Sequence, residues 1–164
     1  MLNIFLSSTC SRHSDLPQVV EELLILGSRQ IELSGNIRDT PSLRPQLRAL
    51  KQEFSLNLLI HNYFPPPQED FVLNLASVNP RIRQKTFALI QAASEFLEEF
   101  DLPFYGIHGG HNVDMDPKME NYHFLVDNNS LIDREQARRA LYENIENVMR
   151  NIFGLVGCVT WAFA

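Results

Sequence analysis

Short apolar runs alternate along this chain with longer stretches in which apolar residues recur every three or four positions. "NIFLSST", residues 3–9, is a β-prone run. In the "HSDLPQVVEELLILG" that follows, Val19, Val20, Leu23, Leu24 and Leu26 fall at helical spacing. Ser14 or Asp15 is placed to cap this helix, Pro17 sits in its first turn, and Gly27 ends it. "QIELSG" reads as the second strand and "TPSLRPQLRALKQEF" as the second helix, with Pro45 tolerable only near the helix start. "NLLIHN" is the third strand. Residues 79–100 form a long third helix in which Ile82, Phe87, Ile90, Ala93, Phe96 and Leu97 share a face. "PFYGIHGG" is the fourth strand, and a loop of more than twenty residues is expected from His111 to about Ile132. Asp133 then caps "REQARRALYENIENVMRN", whose apolar stripe is Ala137, Leu141, Ile145, Val148 and Met149. The closing "IFGLVGCVTWAFA" has the composition of a fifth strand.

Strands and helices in strict alternation imply parallel strands joined by right-handed crossovers. A doubly wound open sheet usually carries a glycine-rich turn after its first strand, and "SSTCSRHSD" is not one. A (β/α)8 barrel instead gathers polar residues at the C-terminal ends of its strands. Here those ends hold Ser7 and Ser8, Glu32, His61 and Asn62, and His108. The fold class expected is α/β, a partial (β/α)8 TIM barrel of about four βα units with a fifth strand. One barrel domain is expected over residues 1–150, and 151–164 form an apolar tail.

Composition narrows the function. Of 164 residues, 45% are apolar and 21% charged, which is ordinary for a globular chain with one substantial core. The net charge of -6 weighs against a sequence-independent grip on nucleic acid, which needs a basic face. "RIRQK" and "REQARR" are basic, but both lie in helical patterns and read as solvated faces. Cys10 and Cys158 show neither metal-ligand spacing nor a disulfide framework, so free thiols in a reducing cytoplasm are expected. No signal peptide is expected, and the apolar tail is shorter than the roughly 20 residues of a membrane span. A soluble, cytoplasmic protein without membrane partners follows.

The candidate chemistry sits at the strand ends. Alternation places Asn57, Leu59 and His61 on one face of the third strand, and Phe104, Gly106 and His108 on one face of the fourth. Imidazole is a common ligand of zinc, manganese and iron. His61 alone reads as a hydrogen-bonded histidine near a loop; the pair with His108 brings a metal site level with that reading. His111 is either a further ligand or a loop residue, and the loop reading is favoured. Glu32 is costly to bury unpaired, so it is a site carboxylate or the partner of a buried arginine. Asp114 and Asp116 lack the calcium-loop pattern and read as solvated. His13 and His123 have no supporting context and read as surface residues. The three prolines after Tyr63 stiffen a loop lying over the strand ends.

"IHNYFPPPQEDFVLNLAS", a long helix and then "YGIHGG" resemble the xylose isomerase-like barrel superfamily, as does the opening strand followed by "LGSRQIELSG". That superfamily holds sugar-phosphate isomerases and epimerases and abasic-site nucleases of the endonuclease IV type. The resemblance covers roughly residues 2–150. It implies that His61 and His108 are metal ligands on strands three and four, and that Asn74 of "NLAS" has a structural role at a helix entry. Such barrels run to about 250 residues. By the resemblance, strand five should end in a metal-binding glutamate and later strands should add Asp, His and Glu. "FGLVGCVTWAFA" contains none of these, so the chain is expected to be truncated after about four units.

The expected function is that of a metal-dependent sugar or sugar-phosphate isomerase or epimerase with an incomplete site. Glu32 is the catalytic candidate, His61 and His108 the metal ligands, and Asn62 and His111 the substrate contacts. A divalent ion, zinc, manganese or magnesium, would be weakly held. The rivals are an abasic-site phosphodiesterase, which needs a basic cleft and a wedge into the duplex, and a non-catalytic half-barrel that forms a homodimer.

Overall fold

A computed structural model describes residues 4–120 and 123–152. Four strands, β1 (Leu6–Ser7), β2 (Gln30–Leu33), β3 (Asn57–His61) and β4 (Tyr105–Gly106), alternate with the helices α1 (Leu16–Ile25), α2 (Leu43–Phe54) and α3 (Pro80–Phe100). The strands pair in parallel, in the order β1-β2-β3-β4. Sequential order without a reversal is that of a partial (β/α) barrel; a doubly wound sheet changes direction at a switch point.

The chain packs as two compact units, Met1–Pro67 with Glu95–Gly106, and Gln68–Ser94 with Ile107–Ala164. The first holds the whole parallel sheet. Its interior is built from Val19, Val20 and Leu23 of α1, Leu47 of α2, Ile31 and Leu33 of β2, and Leu58, Leu59 and Ile60 of β3. Three consecutive buried residues in β3 mark a strand covered on both faces. Each such side chain contributes about 1.5–3 kcal/mol of burial free energy. Gly27, with φ +86, ends α1: its N–H donates to the Leu24 carbonyl and that of Ser28 to the Leu23 carbonyl.

The end of α3 is fixed by aromatic packing. Phe64 meets Phe96 edge-on at 5.1 Å, and Phe96 stacks on Phe100 at 4.6 Å. Arg44 and Arg48 of α2 lie over these two rings, at 4.6 and 5.1 Å, while both pair with Glu99. Lys51 donates to the Phe100 carbonyl, where the helix dipole favours a cation.

The second unit corrects the expectation of a long loop after His111. Residues Val113–Glu120 (β5) and His123–Leu131 (β6) pair antiparallel as a hairpin. Val113, Met115, Pro117 and Met119 do recur at period two, but the intervening Asp, Lys and Glu and the proline read as loop chemistry. A proline cannot donate to the ladder, and the register shifts between Met115 and Met119, the segment that holds Pro117. The helix α4 (Arg134–Asn151) follows, capped as expected: Asp133 accepts from the Glu135 and Gln136 N–H groups, both at 3.0 Å. Ala76, Ile132 and Ala137 form a small core with Leu141 against it. The buried seam of α4 is Ala137, Ala140, Asn144 and Val148, so Ala140 and Asn144 are buried where Leu141, Ile145 and Met149 were expected. The expected fifth strand falls on residues 153–164, outside the described residues. Among the described residues no helix is long and apolar enough to cross a membrane.

Candidate functional site

Register explains how the first unit gathers its polar groups. Glu32 lies opposite Leu59, and His61 opposite Gly106. Side chains two apart on a strand share a face, so the Glu32–Leu59 row and the neighbouring His61–Gly106 row lie on one face of the sheet. The Glu32 carboxylate is 3.8 Å from His61 Nδ1, and both side chains are about 30% exposed, at 31% and 27%. That spacing is too long for a direct hydrogen bond but short enough for an ion pair when the ring is protonated. Glu32 thus stands beside a histidine, and among the described residues no arginine forms an ion pair with it.

Gly106 makes room for this arrangement. A Cβ at position 106 would lie 2.9 Å from His61 Cδ2, so the imidazole rests where any other residue would put its side chain. Beyond His61 the chain turns sharply. Asn62 has φ +43, a left-handed conformation that asparagine tolerates better than most residues. Its N–H donates to the Gly106 carbonyl at 2.7 Å, and its own carbonyl accepts from the Tyr105 hydroxyl. Burial, reinforced by neighbouring Tyr63, pushes the Tyr105 phenol well above its ordinary pKa, so it stays a donor. Asn62 itself is buried and forms this backbone turn. The Phe64–Pro65 peptide just beyond is cis.

The loop histidines belong to the second unit. Strand β4 ends at Gly106, so His108 lies two residues past it and is exposed, whereas "PFYGIHGG" as a whole was expected to be a strand. His111 is also exposed, and its backbone is held on both sides by Asn74. Asn74 Oδ1 accepts from the His111 N–H at 2.9 Å and the Ala76 N–H at 3.0 Å. Its Nδ2 faces the carbonyls of His111 and Val113 and Asp114 Oδ1, at 3.0, 3.1 and 2.8 Å. Asp114 also accepts from Ser77 Oγ at 2.9 Å, so it is a half-buried anchor where a solvated loop residue was expected. Gly110, with φ +129, completes the contact: a Cβ there would come within 2.3 Å of Asn74 Oδ1.

The remaining sequence candidates are structural. Ser8 is fully buried, donating to Asn36 Oδ1 at 2.6 Å and accepting from the Ser34 N–H. His13 stands 3.8 Å from Glu22, which also takes a 2.6 Å hydrogen bond from Ser11 Oγ and lies 3.6 Å from Arg12. Sequence reasoning missed Tyr105, and placed Gly106 only on one strand face with Phe104 and His108. The signal for Gly106 was a glycine in register with a strand-end histidine, which is visible only once the pairing is known.

Among the described residues, no three His, Cys, Asp or Glu side chains gather as a metal centre requires. No protein-family model matches the sequence, and no curated protein does. Among solved structures, the crystal structure of SacUVDE is similar to this chain at 14% identity, with a TM-score of 0.44. The match covers 82% of this chain and 44% of SacUVDE, so the chain spans less than half the length of that structure.

Proposed function

We propose that the tips of β2, β3 and β4 form part of the site of a metal-dependent sugar or sugar-phosphate isomerase or epimerase of the xylose isomerase-like type. The observation that carries this reading is the Glu32–His61 pair. A carboxylate and an imidazole stand side by side, part exposed, at the C-terminal ends of adjacent parallel strands. Proton movement between neighbouring carbons of a sugar needs a base beside the substrate that can take a proton and return it. Glu32 fills that role, and Gly106 leaves the room in which the His61 ring sits next to it.

The donor set fits a divalent ion only in part. Zinc, manganese or magnesium would be held by His61, which leaves the Glu32 carboxylate, 3.8 Å from His61 Nδ1, uncoordinated for the proton transfer. When bound, such an ion supplies Lewis-acid polarisation of the sugar's carbonyl and hydroxyl oxygens. A catalytic zinc usually has three protein ligands, so weak metal retention and little turnover by this chain alone are expected. Abasic-site cleavage would call for cations at the same strand ends. The net charge of -6 argues against such a basic face, which favours the sugar reading.

The test is calorimetric titration with Mn²⁺ and Zn²⁺, together with exchange of substrate C–H protons into D₂O over a panel of aldoses and ketoses. Weak saturable metal binding lost in His61→Ala, with slow exchange lost in Glu32→Gln, is expected. Metal binding unchanged by His61→Ala, or exchange unchanged by Glu32→Gln, would overturn the proposal.

A further inference from the structure

The second unit contains a cavity of about 440 Å³ between the start of α3 and one face of α4. This is within the range of roughly 300–1,000 Å³ typical of small-molecule sites. Arg83 and Arg139 line it together with Gln136, Glu143 and Asn144. Two features of these residues are unusual for a simple surface groove.

The first is Asn144, which is 1% exposed. Its Nδ2 donates to the carbonyls of Leu75 and Ser77, at 2.8 and 3.3 Å. Two acceptors on one side fix the amide orientation, because only the NH₂ end can serve both. Oδ1 is therefore held as an acceptor, and among the described residues it has no partner. A buried acceptor left unsatisfied is destabilising. A nearby leucine or alanine would have avoided that cost. The second feature is Arg83. It is half-buried, and its guanidinium makes no ion pair with any described residue, whereas Glu99 and Glu135 engage the arginines around them.

We propose that this α3–α4 cavity binds a small organic phosphate carrying hydroxyl groups. Arg83 and Arg139 take the phosphate, since guanidinium donors match its oxygens in charge and geometry. Glu143, and Asn144 through Oδ1, accept from the ligand's hydroxyls. A bare anion would leave both acceptors unsatisfied, and a neutral polyol would leave Arg83 unpaired. The site is independent of Glu32 and His61.

Glycerol 3-phosphate is the probe, with glycerol and inorganic phosphate as the separate halves, measured by calorimetry and by NMR shifts of the α4 amides. Saturable binding of glycerol 3-phosphate is expected, at least about tenfold tighter than either half, because each charge-assisted contact is worth that much or more. Arg83→Gln and Arg139→Gln should each weaken it about tenfold without altering the thermal melt, while His61→Ala leaves it unchanged. Absence of saturable binding, wild-type affinity in Arg83→Gln, or loss of binding in His61→Ala would overturn the assignment. Inorganic phosphate binding as tightly as glycerol 3-phosphate would overturn the role given to Glu143 and Asn144.

Discussion

Gly106 and Asn74 show how single residues hold the candidate chemistry in place. Gly106 has ordinary strand geometry, so alanine should cost little stability, within about 1 kcal/mol. The added methyl nonetheless takes the space of the His61 ring. Gly106→Ala should thus leave the urea midpoint nearly unchanged while lowering Mn²⁺ affinity at least about tenfold, to be read by calorimetry. Asn74 lies at the opposite extreme, 1% exposed and bonded at both ends of its amide. Asn74→Ala leaves several buried partners unpaired, and a loss of about 3 kcal/mol is expected in urea unfolding. At this scale, residue type was legible and partner was not. Glu32 and His61 stood out as polar groups on apolar strands, yet that each is the other's neighbour depends on a register no spacing announces. Asp114 read as solvated because its two donors, Asn74 and Ser77, lie some forty positions earlier in the chain.

Elements were read best where capping and period agree. Asp133 was placed as the α4 cap and accepts from two N–H groups there. Asp133→Ala should cost about 1 kcal/mol, visible as a lower melting temperature. The hairpin was missed because its period-two pattern is diluted by residues that usually make turns. Strands β1 and β4 came out at two residues each, since pairing with the sheet, and not β-propensity, sets their length. The segment that leads into α1 is tied to it by Glu22. The hydrogen bond from Ser11, with Arg12 and His13 nearby, holds the Glu22 carboxyl below its ordinary value of 4.5. A carboxyl lowered by folding stabilises the folded state above its unfolded pKa, and that contribution fades as pH falls through the lowered value. Urea midpoints measured from pH 6 to pH 3 should therefore fall less steeply for Glu22→Gln than for the parent chain.

At the scale of the molecule, the alternation of strand and helix was enough to predict a parallel sheet in sequential order. The division into two units was not legible, because no change of composition marks it. Among the described residues β1 and β4 pair on one side only, leaving backbone groups that a further strand can use. On the rival half-barrel reading that strand comes from a second copy, and sedimentation would then give the mass of two chains at micromolar concentration; a monomer throughout would remove that reading. The pairing of β3 with β4 also bears on how the protein is made. Ile60 and its partner Tyr105 are 45 positions apart. At ribosomal rates of about 5–20 residues per second, the outer side of β3 waits roughly two to nine seconds for its neighbour to be synthesised. During that interval the nascent chain presents an unfinished, largely apolar strand, so the yield of folded protein should depend on holdase chaperones that shield it until translation passes Gly106.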